Sequence, residues 1–166
     1  MVPTWEEFVT THAQAVLDSA LRVVANSADA EDVAQDVFVE IFRSGKLSEF
    51  AHQPALLRTM AMRRALDRLR RRKPTCQLDG DEYVARDHEP AEYAAAAELD
   101  QRLRDELGKL PLREAEVFCL SVLEGNSPLE VSRLLNISKG AVAKSLCMAR
   151  ARLSAAFSNF RSETKQ

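Results

Sequence analysis

Residues 126–153 read NSPLEVSRLLNISKGAVAKSLCMARARL, and this stretch constrains the fold more than any other. Ser127 precedes Glu130 at capping-box spacing, and Pro128 takes the first helical position, so a helix starts here. Val131 and Leu134 are expected to form its apolar face. LLNIS then turns the chain. Ser138 is a candidate cap for a second, longer helix on which Val142, Leu146 and Leu153 recur at helical spacing. A short helix, a tight turn and a longer helix with one apolar stripe form the helix-turn-helix pattern. The second helix of such a unit lies in the DNA major groove, with its N-terminal residues toward base edges. The candidates there are Ser138, Lys139, Ala141, Lys144, Ser145 and Met148. Arg150 and Arg152 fall further along and suit phosphates. From the residues alone, a plain helical hairpin stays open as the alternative. NIS also matches a glycosylation acceptor, but a serine serving as a helix cap is preferred.

The rest of the chain is helical in pattern too. Glycine is rare and β-branched alternation is absent. Thr4 and Glu7 repeat the capping-box spacing. Asp29 is expected to cap a helix whose first turn carries Glu31 and Asp32, charges that suit a helix N-terminus. Helices are predicted near 4–24, 29–43, 53–72, 90–108, 112–124, 128–134 and 138–158. Residues 74–88, PTCQLDGDEYVARDH, hold a proline, a glycine and several acids, with no apolar periodicity. The expected fold class is therefore all-α: two small helical domains, 1–73 and 89–166, joined by an acidic linker over 74–88. Fifteen extended residues reach about 50 Å, more than one DNA helical turn of about 35 Å. Such a linker would let the two domains contact separate sites on one duplex. An ordinary exposed loop is the plainer alternative.

The net charge of −2 conceals a segregation. Residues 1–53 carry a net of −6, 54–73 a net of +7, 74–108 a net of −7 and 109–166 a net of +4. Local patches, rather than the whole-chain charge, will govern any nucleic-acid binding. In DAEDVAQDVFVEIFR (29–43), Val33, Val37, Phe38 and Ile41 read as a core-facing stripe. Asp32, Asp36, Val39 and Glu40 fall on another face, with Gln35 beside them. A solvated face is the common meaning of such a stripe. In RTMAMRRALDRLRRRKP, Leu57 just ahead of it and Met60, Ala61, Ala65, Leu66 and Leu69 within it are candidates for burial. Arg63, Arg64, Arg68, Arg70, Arg71, Arg72 and Lys73 are candidates to track phosphates, with a steep salt dependence from counterion release. A basic helix end favoured by the helix dipole is the alternative, but seven basic residues exceed that need.

Other function classes find little support. No run of about 18 apolar residues is present to span a membrane. MVPTWEEFVTTH lacks the basic and apolar segments of a secretory signal. Cys76, Cys119 and Cys147 are far apart and odd in number, which predicts free thiols in a reducing, cytoplasmic setting. Cys147 is expected to be a packed, inert thiol, with a redox role on the candidate DNA-facing side as the alternative. No spacing of cysteines and histidines suits zinc. No phosphate-cradling glycine loop or nucleophile–base set points to an enzyme, and no cofactor is expected.

Taken in order, these segments resemble the extracytoplasmic-function (group IV) class of bacterial sigma factors of the sigma-70 family, over almost the whole chain. DAEDVAQDVF looks like region 2.2, which docks on a coiled coil of the large polymerase subunit. RALDRLRRRKP looks like the end of region 2, which contacts the −10 promoter element. LPLREAEVFCLSVLEGNSPLEVSRLLNISKGAVAKSLCMARARL looks like region 4, which reads the −35 element. The resemblance implies that Asp32, Gln35, Asp36, Val39 and Glu40 meet core RNA polymerase, that the arginine cluster meets promoter DNA, and that the linker threads through a basic channel. The acidic and basic helices would thus serve different partners. It also implies a pocket for an extruded base in SGKLSEFAHQPA (44–55), for which Phe50 and His52 are candidates; anchoring of the loop by Phe50 is the alternative. An anti-sigma partner is implied as well.

The chain departs from the family pattern in two places. Leu56 and Arg63 stand where the family has a tryptophan and an asparagine. GAVAKSLCMAR replaces a pattern like GTVKSRLHRAR, so the usual lysine, arginine, histidine and arginine fall at Ala143, Ser145, Cys147 and Met148. Readout of the −35 element would then be altered, weak, or more reliant on apolar contacts with thymine methyls. The alternative function is a helix-turn-helix regulator, or a degenerate sigma-like protein, that does not direct initiation.

Overall fold

The structure, a computed structural model, describes residues 3–72 and 90–163, and side chains within 3–72 and 96–158. The expected linker over 74–88, together with Lys73 and Cys76, lies outside the described residues. Among the described residues there are helices and turns but no strand. The helices are α1 (Trp5–Val24), α2 (Ser27–Ser44), α3 (Leu47–Phe50), α4 (Pro54–Arg71), α5 (Pro90–Lys109), α6 (Leu112–Phe118), α7 (Pro128–Leu135) and α8 (Lys139–Glu163). The chain divides into two compact units, Met1–Arg68 and Leu69–Gln166.

In the first unit, Thr4 caps α1 as expected. Its hydroxyl accepts from the Glu7 amide, and the Glu7 carboxylate accepts from the Thr4 amide at 2.8 Å. The bond from the Thr4 amide, helped by the nearby Thr4 hydroxyl, pulls the Glu7 carboxyl below its usual range. The start of α2 differs from expectation. Asn26 Oδ1 accepts from the Asp29 amide at 2.8 Å, so Asn26 is the cap and Asp29 lies inside the first turn. Asparagine is as good a cap as aspartate, and starting earlier leaves the Asp29 carboxylate available to another helix.

The core of this unit comes from three helices. Phe8, Val16, Ala20, Val23 and Val24 are buried on α1; Ala30, Val33, Val37 and Ile41 on α2; Leu57, Ala61, Met62, Ala65 and Leu66 on α4. The α2 set recurs at steps of three and four, the period of one helix face. Met62 is fully buried and Met60 only half-buried, so the α4 stripe is wider than its sequence pattern suggested. Between α2 and α4, part of the expected loop forms the single turn α3, and Gly45 ends α2 in the left-handed region at φ 66°.

In the second unit, α8 packs against α5, α6 and α7. Expected as one helix over 112–124, this segment instead ends its α-helix at Phe118 and widens to a π turn over Cys119–Leu123. The Glu124 amide there donates to the Cys119 carbonyl at 2.9 Å, an i to i+5 bond. Ser127 caps α7 with the full capping box. Asn136 turns the chain at φ 52°, a left-handed conformation asparagine tolerates. Ser138 Oγ accepts from the Ala141 amide at 3.1 Å, capping α8 as anticipated. Val131 and Leu135 are the buried pair on α7, while Leu134 is half-buried. On α8, Val142, Ala149 and Leu153 are buried and Leu146 is half-buried. Ala149 is fully buried, although its small side chain gives little sign of this in the sequence.

Candidate nucleic-acid interface and acidic face

Asp29, Asp32, Asp36 and Glu40 each stand one residue before a core residue of α2: Ala30, Val33, Val37 and Ile41. One residue is about 100° of helix rotation, so the acids flank the buried stripe. On α4, Arg64 and Arg68 likewise precede the buried Ala65 and Leu69. The two flanks meet. Arg68 Nε donates to Asp29 Oδ1 at 2.7 Å, and Arg68 Nη2 donates to Asp32 Oδ2 at 2.6 Å. Arg64 Nη2 donates to Glu40 Oε2 at 2.6 Å. That hydrogen bond raises the Arg64 pKa above its usual value. Partial burial opposes the shift, and the charges of Glu40, Asp36 and Asp67 add to it. The acidic and basic helices, expected to look to separate partners, thus also hold one another.

Other members of both sets face outward. Gln35, Asp36 and Val39 are exposed on α2. Arg63, Arg70, Arg71 and Arg72 are exposed on and just after the second half of α4. His52 is exposed and Phe50 half-buried beside the turn formed by α3; Leu56 is half-buried.

Sequence reading overlooked Phe42. It is 66 % exposed, close to exposed Val39, and its ring packs edge-on against Trp5 with centroids 5.1 Å apart. The signal was present: Val37, Phe38, Val39, Ile41 and Phe42 are too many apolar residues for one buried stripe, so some must face solvent.

On α8, Lys139, Lys144, Met148, Arg150 and Arg152 are exposed, and Ala141 and Ser145 are half-buried. Exposed Ala143 and Cys147 share the outward side with Lys144 and Met148. Arg152 is not directed only at solvent: its Nε donates to Glu114 Oε2 of α6 at 2.9 Å. Cys147 is exposed, contrary to the packed thiol expected from sequence, because it lies on the side of α8 away from Val142 and Ala149.

Cys119 is the packed thiol. Burial, assisted by the Glu124 charge, pushes its pKa from 9.0 up to about 12, with Arg104 opposing and Glu116 adding. In a Cys76→Ser variant at pH 8, we expect a thiol reagent to modify Cys147 at once and Cys119 only on unfolding. Two equivalents reacting in the native state would contradict this burial. The unfolded chain loses the Cys119 proton above pH 9, whereas the folded chain keeps it to about 12. Stability from this group is complete below pH 9, is lost progressively as the pH rises from 9 to about 12, and changes no further beyond.

Among the described residues, no group of three or more His, Cys, Asp or Glu could hold a metal, and no helix is long and apolar enough to cross a membrane.

The family model for Sigma-70 region 2 matches residues 8–75, and that for Sigma-70, region 4 matches residues 100–153. The ECF RNA polymerase sigma factor SigE of Mycolicibacterium smegmatis is 30 % identical over 171 residues, covering 99 % of this chain and 66 % of that protein. The RNA polymerase sigma factor CarQ of Myxococcus xanthus is 32 % identical over 143 residues, covering 82 % of this chain and 79 % of that one. Among solved structures, CnrH in complex with the cytosolic domain of CnrY is similar at a TM-score of 0.57 and 26 % identity, over 93 % of this chain and 88 % of that one. With two helical units that match regions 2 and 4 in the expected order, the chain belongs to the sigma-70 family of RNA polymerase sigma factors, in its extracytoplasmic-function group.

Proposed function

We infer that this protein directs core RNA polymerase to specific promoters, with each contact assigned to one element. The exposed acids of α2, with Gln35 and Val39, meet basic residues of polymerase. Arg63, Arg70, Arg71 and Arg72, continued by Lys73, follow the phosphates of the −10 element. The first half of α8, from Ser138 to Met148, enters the major groove at the −35 element, with Arg150 on the backbone. The observation that carries this reading is the pairing, in one chain, of a helix-turn-helix with an acidic face on α2 and an arginine-rich second half of α4. A simple regulator has no use for the acidic face.

Phe50 and His52 are the residues we assign to a pocket for an extruded −10 base. Stacking of one base on an aromatic contributes about 1–3 kcal/mol, while unstacking costs a few. One pocket traps an opened base but does not melt several steps, so polymerase supplies the remainder. Phosphodiester chemistry belongs to polymerase, and the protein acts in the cytoplasm. A protein that covers these faces and holds the factor inactive is proposed as a further partner. CnrH was solved in complex with the cytosolic domain of CnrY, and recovery of polymerase alone from native lysate would count against a protein partner here.

Run-off transcription with purified core polymerase and genomic fragments tests the assignment. We expect discrete transcripts that depend on this protein. Silence without core binding would replace this reading with that of a DNA-binding regulator.

A further inference from the structure

The Arg68 guanidinium holds two carboxylates of α2. Nε donates to Asp29 and Nη2 to Asp32, carboxylates on successive turns of α2, at 2.7 and 2.6 Å. The Asp29 side chain is largely covered at 16 % exposure, whereas Asp32 is open at 56 %. The guanidinium therefore runs from a sheltered anchor to an exposed acid. Two carboxylates around one guanidinium leave a local excess of negative charge, which repels a phosphate and attracts a cation. The planar fork of arginine, with donors in fixed directions, suits such a bridge; a lysine ammonium is a single point charge. One turn away, Arg64 holds Glu40 in the same manner, so the bracing recurs along the α2–α4 seam.

We propose that Arg68 is a positioning residue of the acidic face and not a DNA-phosphate contact: anchored on Asp29, it fixes the Asp32 carboxylate in the orientation presented to a basic partner. The proposal rests on the reading of α2 as the polymerase-binding face. It moves Arg68 from the phosphate-tracking cluster expected from the sequence to the polymerase side.

The two roles respond differently to lysine. A phosphate contact tolerates it, because the positive charge stays. A two-carboxylate bridge does not, because one ammonium does not reproduce both directed bonds.

The test uses full-length protein, purified core polymerase and a promoter fragment identified by run-off. Core affinity is measured for Arg68→Lys, Arg68→Gln, Asp32→Asn and the Asp32→Asn/Arg68→Gln double variant. The salt dependence of holoenzyme binding to the fragment is measured alongside, with Arg71→Gln as a phosphate-contact comparison. We expect Arg68→Lys and Arg68→Gln each to weaken core binding about fivefold, the upper range for an exposed ion pair. In the Asp32→Asn background, Arg68→Gln should add little. The salt slope should stay unchanged for both Arg68 variants and fall by about one for Arg71→Gln.

Wild-type core affinity in Arg68→Lys, combined with a slope lowered by about one in Arg68→Gln, would overturn the proposal. So would fully additive effects of the Asp32 and Arg68 changes, because generalised destabilisation, unlike positioning, does not depend on Asp32. Failure of the wild-type protein to bind core polymerase would overturn the functional reading and this inference together. Phosphate-like behaviour of Arg68 on an intact holoenzyme would overturn the inference alone.

Discussion

Reversing Asp32 and Asp36 to arginine together is expected to weaken binding to core RNA polymerase roughly a hundredfold or more, since each like-charge contact at a desolvated interface costs several kcal/mol. The fold should survive. Both residues are exposed, and the ion pair that Asp32 makes with Arg68 is an exposed pair, worth about 1 kcal/mol at most. Circular dichroism and thermal unfolding should therefore stay near wild type while core binding is lost. The two positions are not equivalent. Asp32→Arg also places a cation against Arg68, so part of its effect passes through the α2–α4 seam. Asp36 is exposed and acts on α4 through its charge at Arg64, which makes it the cleaner probe of a direct contact. Unchanged core affinity in the double variant would remove the acidic face from the polymerase interface.

Phe8→Ala is expected to unfold much of the first unit while sparing the second. The Phe8 side chain is 1 % exposed. Its ring lies 5.8 Å from that of Trp5, 4.8 Å from that of His12 and 6.1 Å from that of Phe38. Truncating a buried phenylalanine costs about 3–5 kcal/mol. Total stability is about 0.05–0.15 kcal/mol per residue, or about 3–10 kcal/mol for a unit the size of Met1–Arg68, so the truncation removes a large share of it. Trp5 is the chain's one tryptophan, and its fluorescence reports on this cluster. Its urea midpoint should fall by more than about 1 M. Protection of the Cys119 thiol, a probe buried in the second unit, should hold at wild-type urea concentrations. A fall of both probes together would mean that the two units unfold as one, and an unmoved Trp5 midpoint would remove Phe8 from the core.

Features set by neighbours in sequence were legible in the sequence. Thr4 with Glu7 and Ser127 with Glu130 announced two helix starts, because a capping box closes within three residues and needs no distant partner. The helix-turn-helix was legible for the same reason: Ser138 caps its own helix, and the stripe through Val142 and Leu153 is a property of one helix. The segregation of acid from base along the chain was plain as well, and with it the expectation of one basic and one acidic surface.

What the tertiary structure decided is how those surfaces are divided. Nothing near Arg68 in the sequence distinguishes it from Arg71, yet Arg68 meets Asp29 and Asp32, 39 and 36 residues away. Arg152 likewise meets Glu114, 38 residues away. Such pairs depend on how two helices are packed and rotated, which no local hydrogen bond specifies. Asn26 took the cap expected of Asp29, two residues inside the helix start once α2 formed, and freed that carboxylate for Arg68. The exposure of Phe42 and Cys147, and the burial of Leu135 ahead of Leu134, follow from the same rotations. Local chemistry determined where the helices begin and which charges they carry; only the packing of helix on helix determined which of those charges are already held.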